Sequence, residues 1–348
     1  GELSPRADWF VFGFCGVAEP RGGGARRLEP APGGIRVVRP CRPLTTLSAG
    51  RGRLVLRGWQ MGALPGHCQD LLPSESHVLL LRGAALEVWA RGAELCRGPS
   101  WQQQLHPGEA ARPLPLVSHG YVTPRPPFLC PLPPALRAQK LVLGHEHVVL
   151  LGCAGTIYTW GCSRCVHGQL GHGGLEPVSE PRLVEALDGM SMGDVAAGGW
   201  HSVSVSEGGD LYVWGWNEAG QLALPSKALA EKRAPATLLV PEAASGLSCD
   251  CSQAALAAEA ADFISIQAFP ALLDLPEGSE VSKVSCGSRH TAAVTRKSRG
   301  LGKYGQLGHK DTASSDQPRQ VGYFPANGLT VEDVVCGPWN TYISAVEK

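Results

Sequence analysis

A block of about fifty residues recurs through the second half of this chain, and nothing else in the sequence constrains the fold as tightly. Its fullest copy runs Gly198-Gly-Trp-His-Ser-Val-Ser-Val-Ser-Glu-Gly-Gly-Asp-Leu-Tyr-Val-Trp-Gly-Trp-Asn-Glu-Ala-Gly-Gln-Leu222. A second leads from Gly144-His-Glu-His147 through Thr156-Ile-Tyr-Thr-Trp-Gly161 to Gly168-Gln-Leu-Gly171. A third joins Gly287-Ser-Arg-His290 to Gly305-Gln-Leu-Gly308, and a partial fourth, Val335-Cys-Gly-Pro-Trp-Asn-Thr-Tyr-Ile-Ser-Ala-Val346, follows. The marker glycines Gly144, Gly198, Gly287 and Gly337 lie 54, 89 and 50 residues apart. Units of this length cannot bury an apolar face alone and must stack, as in a propeller or solenoid.

Each unit reads as strands and turns. Ser202-Val-Ser-Val-Ser206 alternates with period two, which predicts a half-buried strand. Glu207-Gly-Gly-Asp210 supplies a tight hairpin turn, and Asp210-Leu-Tyr-Val-Trp-Gly215 is the returning strand. Four such strands stacked radially make a propeller blade. The expectation is an all-β fold, one domain over residues 1–348 with six or seven blades. The half-repeats at the two ends predict that the ring closes by pairing Trp9–Phe14 with Tyr342–Val346. Two segments interrupt the pattern. Residues 106–134 are proline-rich and expected to be extended and exposed, with room for a degenerate blade. Residues 227–263 are alanine-rich and expected to be a disordered insertion. The third repeat carries Lys297-Ser-Arg-Gly-Leu301 where Tyr-x-Trp-Gly belongs, so a strand should be shortened there.

Gly189-Met-Ser-Met-Gly193 has the Gly-x-Ser-x-Gly spacing of a nucleophile elbow, with Asp194 and His201 nearby. That elbow needs a strand before it and a helix after it, and this sequence predicts a loop and then a strand. Cys162, Cys165 and His167 make half a zinc site, but Cys249 and Cys251 are not a suitably spaced second pair. His147, His201 and His290 recur at one repeat phase, which fits bracing between blades, since a catalytic group is needed once. Gly144, Gly198, Gly287 and Gly337, with Trp160, Trp200, Trp214 and Trp339, recur likewise, the tryptophans expected to pack between sheets. The chain is therefore read as no enzyme, with no cofactor, metal or small-molecule substrate.

Net charge is zero but unevenly placed: residues 1–140 hold 17 Lys and Arg against 9 Asp and Glu. An arginine-rich composition accounts for this, as would a nucleic-acid-facing half. Strong binding to DNA by counterion release alone is not expected of so balanced a chain. No apolar run is long enough to span a membrane, and Gly1-Glu-Leu-Ser-Pro5 does not read as a signal peptide. Cys286 and Cys336 fill the slot held by Leu143 and Ala197 in other repeats, which suits thiols in a reducing compartment.

The Gly-x-x-His turn, the Tyr/Val-x-Trp-Gly strand and Gly-Gln-Leu-Gly together resemble the regulator of chromosome condensation repeat family, β-propellers of typically seven blades. Phe10-Val-Phe-Gly-Phe14 and Arg53-Leu-Val-Leu-Arg-Gly-Trp59 look like degenerate copies. Finer matches, Phe269-Pro-Ala-Leu-Leu-Asp-Leu-Pro276 among them, are similar to one small vertebrate branch. That resemblance implies a nuclear, chromosome-associated scaffold, with some cytoplasmic presence. It implies roles in histone-methylation control, chromosome segregation and spindle organisation, with contacts to chromatin or histones. It further implies a JmjC-domain 2-oxoglutarate oxygenase as partner, bound through the N-terminal portion and hydroxylating Arg137. The founding member implies the alternative, guanine-nucleotide exchange on a small GTPase.

Overall fold

The computed structural model describes residues 7–13, 25–28, 35–40, 45–49, 54–57, 68–74, 76–90, 98–105, 112–161, 167–233, 263–276, 279–296, 300–301 and 315–347. Among these residues the strands form seven antiparallel sheets. Sheet II holds Ile35–Pro40, Thr45–Ala49 and Leu54–Arg57, and sheet III Asp70–Pro73, His77–Arg82, Ala85–Ala90 and Trp101–Gln104. Sheet IV is minimal: Leu116–Val117, Gly120–Val122 and Leu129–Pro131. Sheet V comprises Ala138–Leu143, His147–Gly152, Ile157–Gly161 and Val178–Leu183. Sheet VI comprises Met192–Ala197, His201–Ser206, Leu211–Trp216 and Ile266–Leu272. Sheet VII has Val281–Cys286, Thr291–Thr295 and the two residues Gly300–Leu301.

Sheet I closes the ring. Its inner strands Leu329–Cys336 and Asn340–Glu347 come from the end of the chain, its outer strands Asp8–Gly13 and Arg26–Arg27 from the start. Trp9 pairs with Ser344 and Val11 with Tyr342, the closure expected from the sequence. The first strand of a sheet touches the first strand of the next around most of the circuit. Between sheets III and IV the junction is apolar, with Leu79 and Val88 against Val117 and Val122. The proline-rich stretch thus supplies a blade, and its Leu116, Val117, Tyr121 and Val122 are buried where exposure was expected. The insertion also begins differently from the expectation: Lys227–Arg233 form an α-helix, while 234–262 lie outside the described residues.

Stacking of sheets on both sides changes what the strand alternation means. Ser202 and Ser204 are as inaccessible as Val203 and Val205, so the strand is not half exposed. Ser202 faces sheet V, donating to the Gln169 carbonyl at 2.8 Å, whereas Val203 and Val205 face sheet VII. The period separates two neighbours, with small polar groups on the side where a neighbouring loop must bond. Asp8–Gly13 behaves the same way: Phe10 and Phe12 pack with Val294 and Phe324, while Trp9 and Val11 pack with Val38 and Tyr342.

Candidate functional site

The recurrent Gly-x-x-His turns join the first and second strands of sheets V, VI and VII and form one rim of the ring. Each imidazole lies over the glycine of its own turn. A β-carbon added to Gly198 would sit 2.1 Å from His201 Cε1 and 2.7 Å from the Gly287 carbonyl of the next turn. Gly144 and Gly287 are equally tight, so glycine is required for space. The turns are linked by their backbones: His145 N–H donates to Gly198 O, Gly199 N–H to Gly287 O and Ser288 N–H to Pro338 O.

The histidines complete this brace. His147 Nε2 meets Ser202 Oγ at 2.8 Å, His201 meets Thr291 Oγ1 at 3.0 Å, and His290 meets Thr341 Oγ1 at 3.1 Å, each in the next sheet. Ser202 and Thr291 give their own protons to the Gln169 and Gln221 carbonyls. They must therefore accept from the rings, so His147 and His201 carry their proton on Nε2. Nδ1 of His147, His201 and His290 is buried without a hydrogen-bond partner. Burial holds all three far below the usual imidazole range, at about 3, and the adjacent imidazole lowers His147 and His201 further. Buried bases that cannot protonate at neutral pH and are committed to inter-blade bonds are structural. In the fourth turn Asn340 stands at the histidine position, packed on Gly337 beside Pro40 of sheet II.

Trp214 is fully buried between sheets V and VI and donates to the Gln169 carbonyl at 2.9 Å. Gly171, with φ +78°, passes within contact of that indole. Trp160 is also buried, its Nε1–H donating to Tyr121 Oη of sheet IV. Trp200 and Trp339 differ: both are half-buried at the rim and not enclosed between sheets.

The outward positions of the turns gather a cluster that sequence reasoning missed. The Trp200 ring lies 5.2 Å from His145, 6.1 Å from His167 and 5.6 Å from Trp216, nearly perpendicular to the last. Arg289 places its guanidinium carbon over the Trp216 ring, 4.8 Å from its centre. The signal for His145, Trp200 and Arg289 was the pair of variable residues inside each Gly-x-x-His, His145-Glu146, Gly199-Trp200 and Ser288-Arg289; His167 and Trp216 lie outside those turns.

The other candidates fall elsewhere. Ser191 is exposed, preceded by the 3₁₀ turn Glu185–Leu187 and followed directly by the strand Met192–Ala197, the reverse of a nucleophile elbow. Asp194 is bound to Lys140 and to the Val284 N–H, and His201 to Thr291. Cys162, Cys165, Cys249 and Cys251 lie outside the described residues, and His167 belongs to the aromatic cluster. Among the described residues no three metal-ligating side chains converge. Burial raises the Cys336 thiol to about 12 and Cys286 further, so neither is a reactive thiolate.

Arg137 is exposed, but its backbone is not extended as the prolines suggested. Pro134–Leu136 form a 3₁₀ turn and Arg137 ends it in the left-handed region, at φ 42°, ψ 54°. Its N–H donates to Pro134 O and its carbonyl accepts from Cys153 N–H.

Comparison with known proteins agrees with this geometry. The family model described as the regulator of chromosome condensation (RCC1) repeat matches residues 154–205 and 298–343, and a second model of that repeat matches 194–221. The human RCC1 domain-containing protein 1 is 49% identical over 98% of this chain and 97% of its own length. Its mouse counterpart is 47% identical with the same coverage. The crystal structure of Prp20p from Saccharomyces cerevisiae, a protein characterised for binding to Gsp1p and histones, superposes with a TM-score of 0.66. That match covers 99% of this chain and 93% of Prp20p at 14% identity, a likeness of fold alone.

Proposed function

Since the chain belongs to the regulator of chromosome condensation repeat family, we propose that it is a non-enzymatic interaction scaffold that acts in the nucleus, on chromosomes. The observation that carries this reading is the division of labour within each turn. Glycine and histidine brace neighbouring blades, and the residues between them, Gly199 excepted for want of space, present varied side chains on a rigid rim. Such an arrangement suits recognition of a macromolecule more than turnover of a small one.

The partner we propose is a JmjC-domain 2-oxoglutarate oxygenase engaging the N-terminal part of the chain, with chromatin regulation as the shared task. Arg137 is the residue proposed for modification. Its accessible guanidinium favours this, whereas its left-handed backbone must open before an extended-peptide cleft can accept it. A peptide spanning residues 131–147 should then gain one oxygen on Arg137 faster than the folded chain, with iron(II) and 2-oxoglutarate present. No gain in either, while a known substrate reacts alongside, refutes the modification. Purification of the tagged chain from nuclei followed by mass spectrometry tests the partner, and absence of any such oxygenase refutes it.

The fold shared with Prp20p favours a second reading, nucleotide exchange on a small GTPase. Accelerated release of labelled nucleotide from a panel of small nuclear GTPases would support it over the scaffold.

A further inference from the structure

We propose that the rim built by His145, His167, Trp200, Trp216 and Arg289 is a docking site for an acidic peptide segment with an apolar anchor, contributed by a partner protein. The five side chains come from sheets V, VI and VII and form one contiguous cluster of ring contacts. His145 and Arg289 are exposed and the two tryptophans half-buried, so charge and part of the aromatic surface are both offered to solvent. The backbone bonds between successive turns fix these side chains relative to one another before any ligand arrives, which lowers the ordering cost of binding.

Charge decides the class of ligand. Among the described residues Arg289 forms no ion pair, and its guanidinium carbon lies over the Trp216 ring, 4.8 Å from its centre. A guanidinium held by its face leaves its edge of N–H donors free for a carboxylate, which it grips bidentately. Of the acids adjoining these residues in sequence, Glu146 has its Oε2 buried and Glu218, two residues from Trp216, is exposed. A basic segment would meet Arg289 already seated on the ring face that it would need. Trp200 and Trp216, half-covered and orthogonal, supply the apolar contact, and tryptophan and arginine are the side chains that carry most binding energy in interfaces.

This site deepens the scaffold reading, and its test needs no natural partner. The probe is a short fluorescein-labelled peptide of aspartates and glutamates around a central leucine–phenylalanine pair. Controls are the same peptide with glutamines or with lysines at the acidic positions. Fluorescence anisotropy with the full chain should show binding by the acidic peptide that weakens as salt rises. Arg289→Ala should weaken it about tenfold, equivalent to ~1.4 kcal/mol. Arg289→Glu should abolish it, Arg289→Lys restore part of it, and Trp200→Ala cost a similar factor. Arg289 is exposed, so its variants should melt like the wild type and keep the result interpretable if Trp200→Ala unfolds. Equal binding by the glutamine peptide, preference for the lysine peptide, or indifference to Arg289→Glu overturns the proposal. If these fail while the oxygenase is still captured from nuclei, the docking site falls and the scaffold reading stands.

Discussion

Acid should loosen this ring through its histidine braces before carboxylates begin to protonate. His147, His201 and His290 are buried as neutral bases, held at about 3 by desolvation, whereas an unfolded histidine titrates near 6.5. The unfolded chain therefore binds more protons at every pH between those values, and stability is complete above pH ~6.5 and falls as pH drops. At pH 5 each histidine contributes a loss of about 2 kcal/mol, and the three together about 6 kcal/mol. A domain of ordinary stability has only ~5–15 kcal/mol in total. His172 is held low by partial burial and adds to the same trend.

The assay is urea denaturation followed by tryptophan fluorescence, at intervals from pH 7.5 to pH 5. His201→Asn is the informative variant, because Asn340 already occupies the equivalent site in the fourth turn. It should cost about 1–3 kcal/mol at neutral pH through the Thr291 hydroxyl and the space left behind. It should also reduce the slope of stability against pH by a little over 1 kcal/mol per unit, since one titrating group is gone. Wild-type stability that stays flat down to pH 5, or an undiminished slope in His201→Asn, would refute the argument.

Other outcomes follow from the same interfaces. Gly198→Ala should destabilise the ring by roughly 1–3 kcal/mol or more and lower its melting temperature, because its β-carbon meets His201 and the Gly287 carbonyl; near-wild-type melting would contradict the close approach. Trp214→Ala should cost about 3–5 kcal/mol, and Trp200→Ala distinctly less because that ring is partly exposed; a calorimetric ranking in reverse order would be inconsistent with the structure. Asp194→Ala should cost ~1.5–3 kcal/mol through the lost Val284 N–H bond, and Lys140→Ala at most ~1 kcal/mol; equal losses in chemical denaturation would show that the ion pair dominates.

Legibility in the sequence followed strand length and repetition. The hairpins of sheets V and VI could be read because their strands are five or six residues long, Ser202–Ser206 alternates and the motif recurs, and repetition of His147, His201 and His290 marked them as structural. Sheet IV could not be read: its strands of two and three residues are too short for any period, and prolines flank them. Their burial comes from neighbours, with Tyr121 packed edge-on against Trp160 and Val122 covered by sheet III. Trp200 misled for a related reason. It shares with Trp214 a place in the best-preserved repeat, yet it sits inside the turn, where side chains point out of the ring. The rim cluster was invisible because its members come from three sheets and from the positions that vary.

The pairing of Asp8–Gly13 with Asn340–Glu347 also sets the order of events in folding. Sheets II to VI can form as the chain emerges during synthesis, each on the one before it. Apart from its two-residue pairing with Arg26–Arg27, the earliest strand has nothing to join until the latest has been made, so Phe10 and Phe12 spend translation without the Val294 and Phe324 that later enclose them. The contact of highest sequence separation is thus formed last, and it carries the largest loop-closure cost in the molecule. Until it forms, a hydrophobic strand and an open sheet edge are exposed together, the state in which two copies can exchange these strands. Conditions that delay release of the C-terminal hairpin should therefore trap this protein as domain-swapped or aggregated material, even where the finished ring is stable.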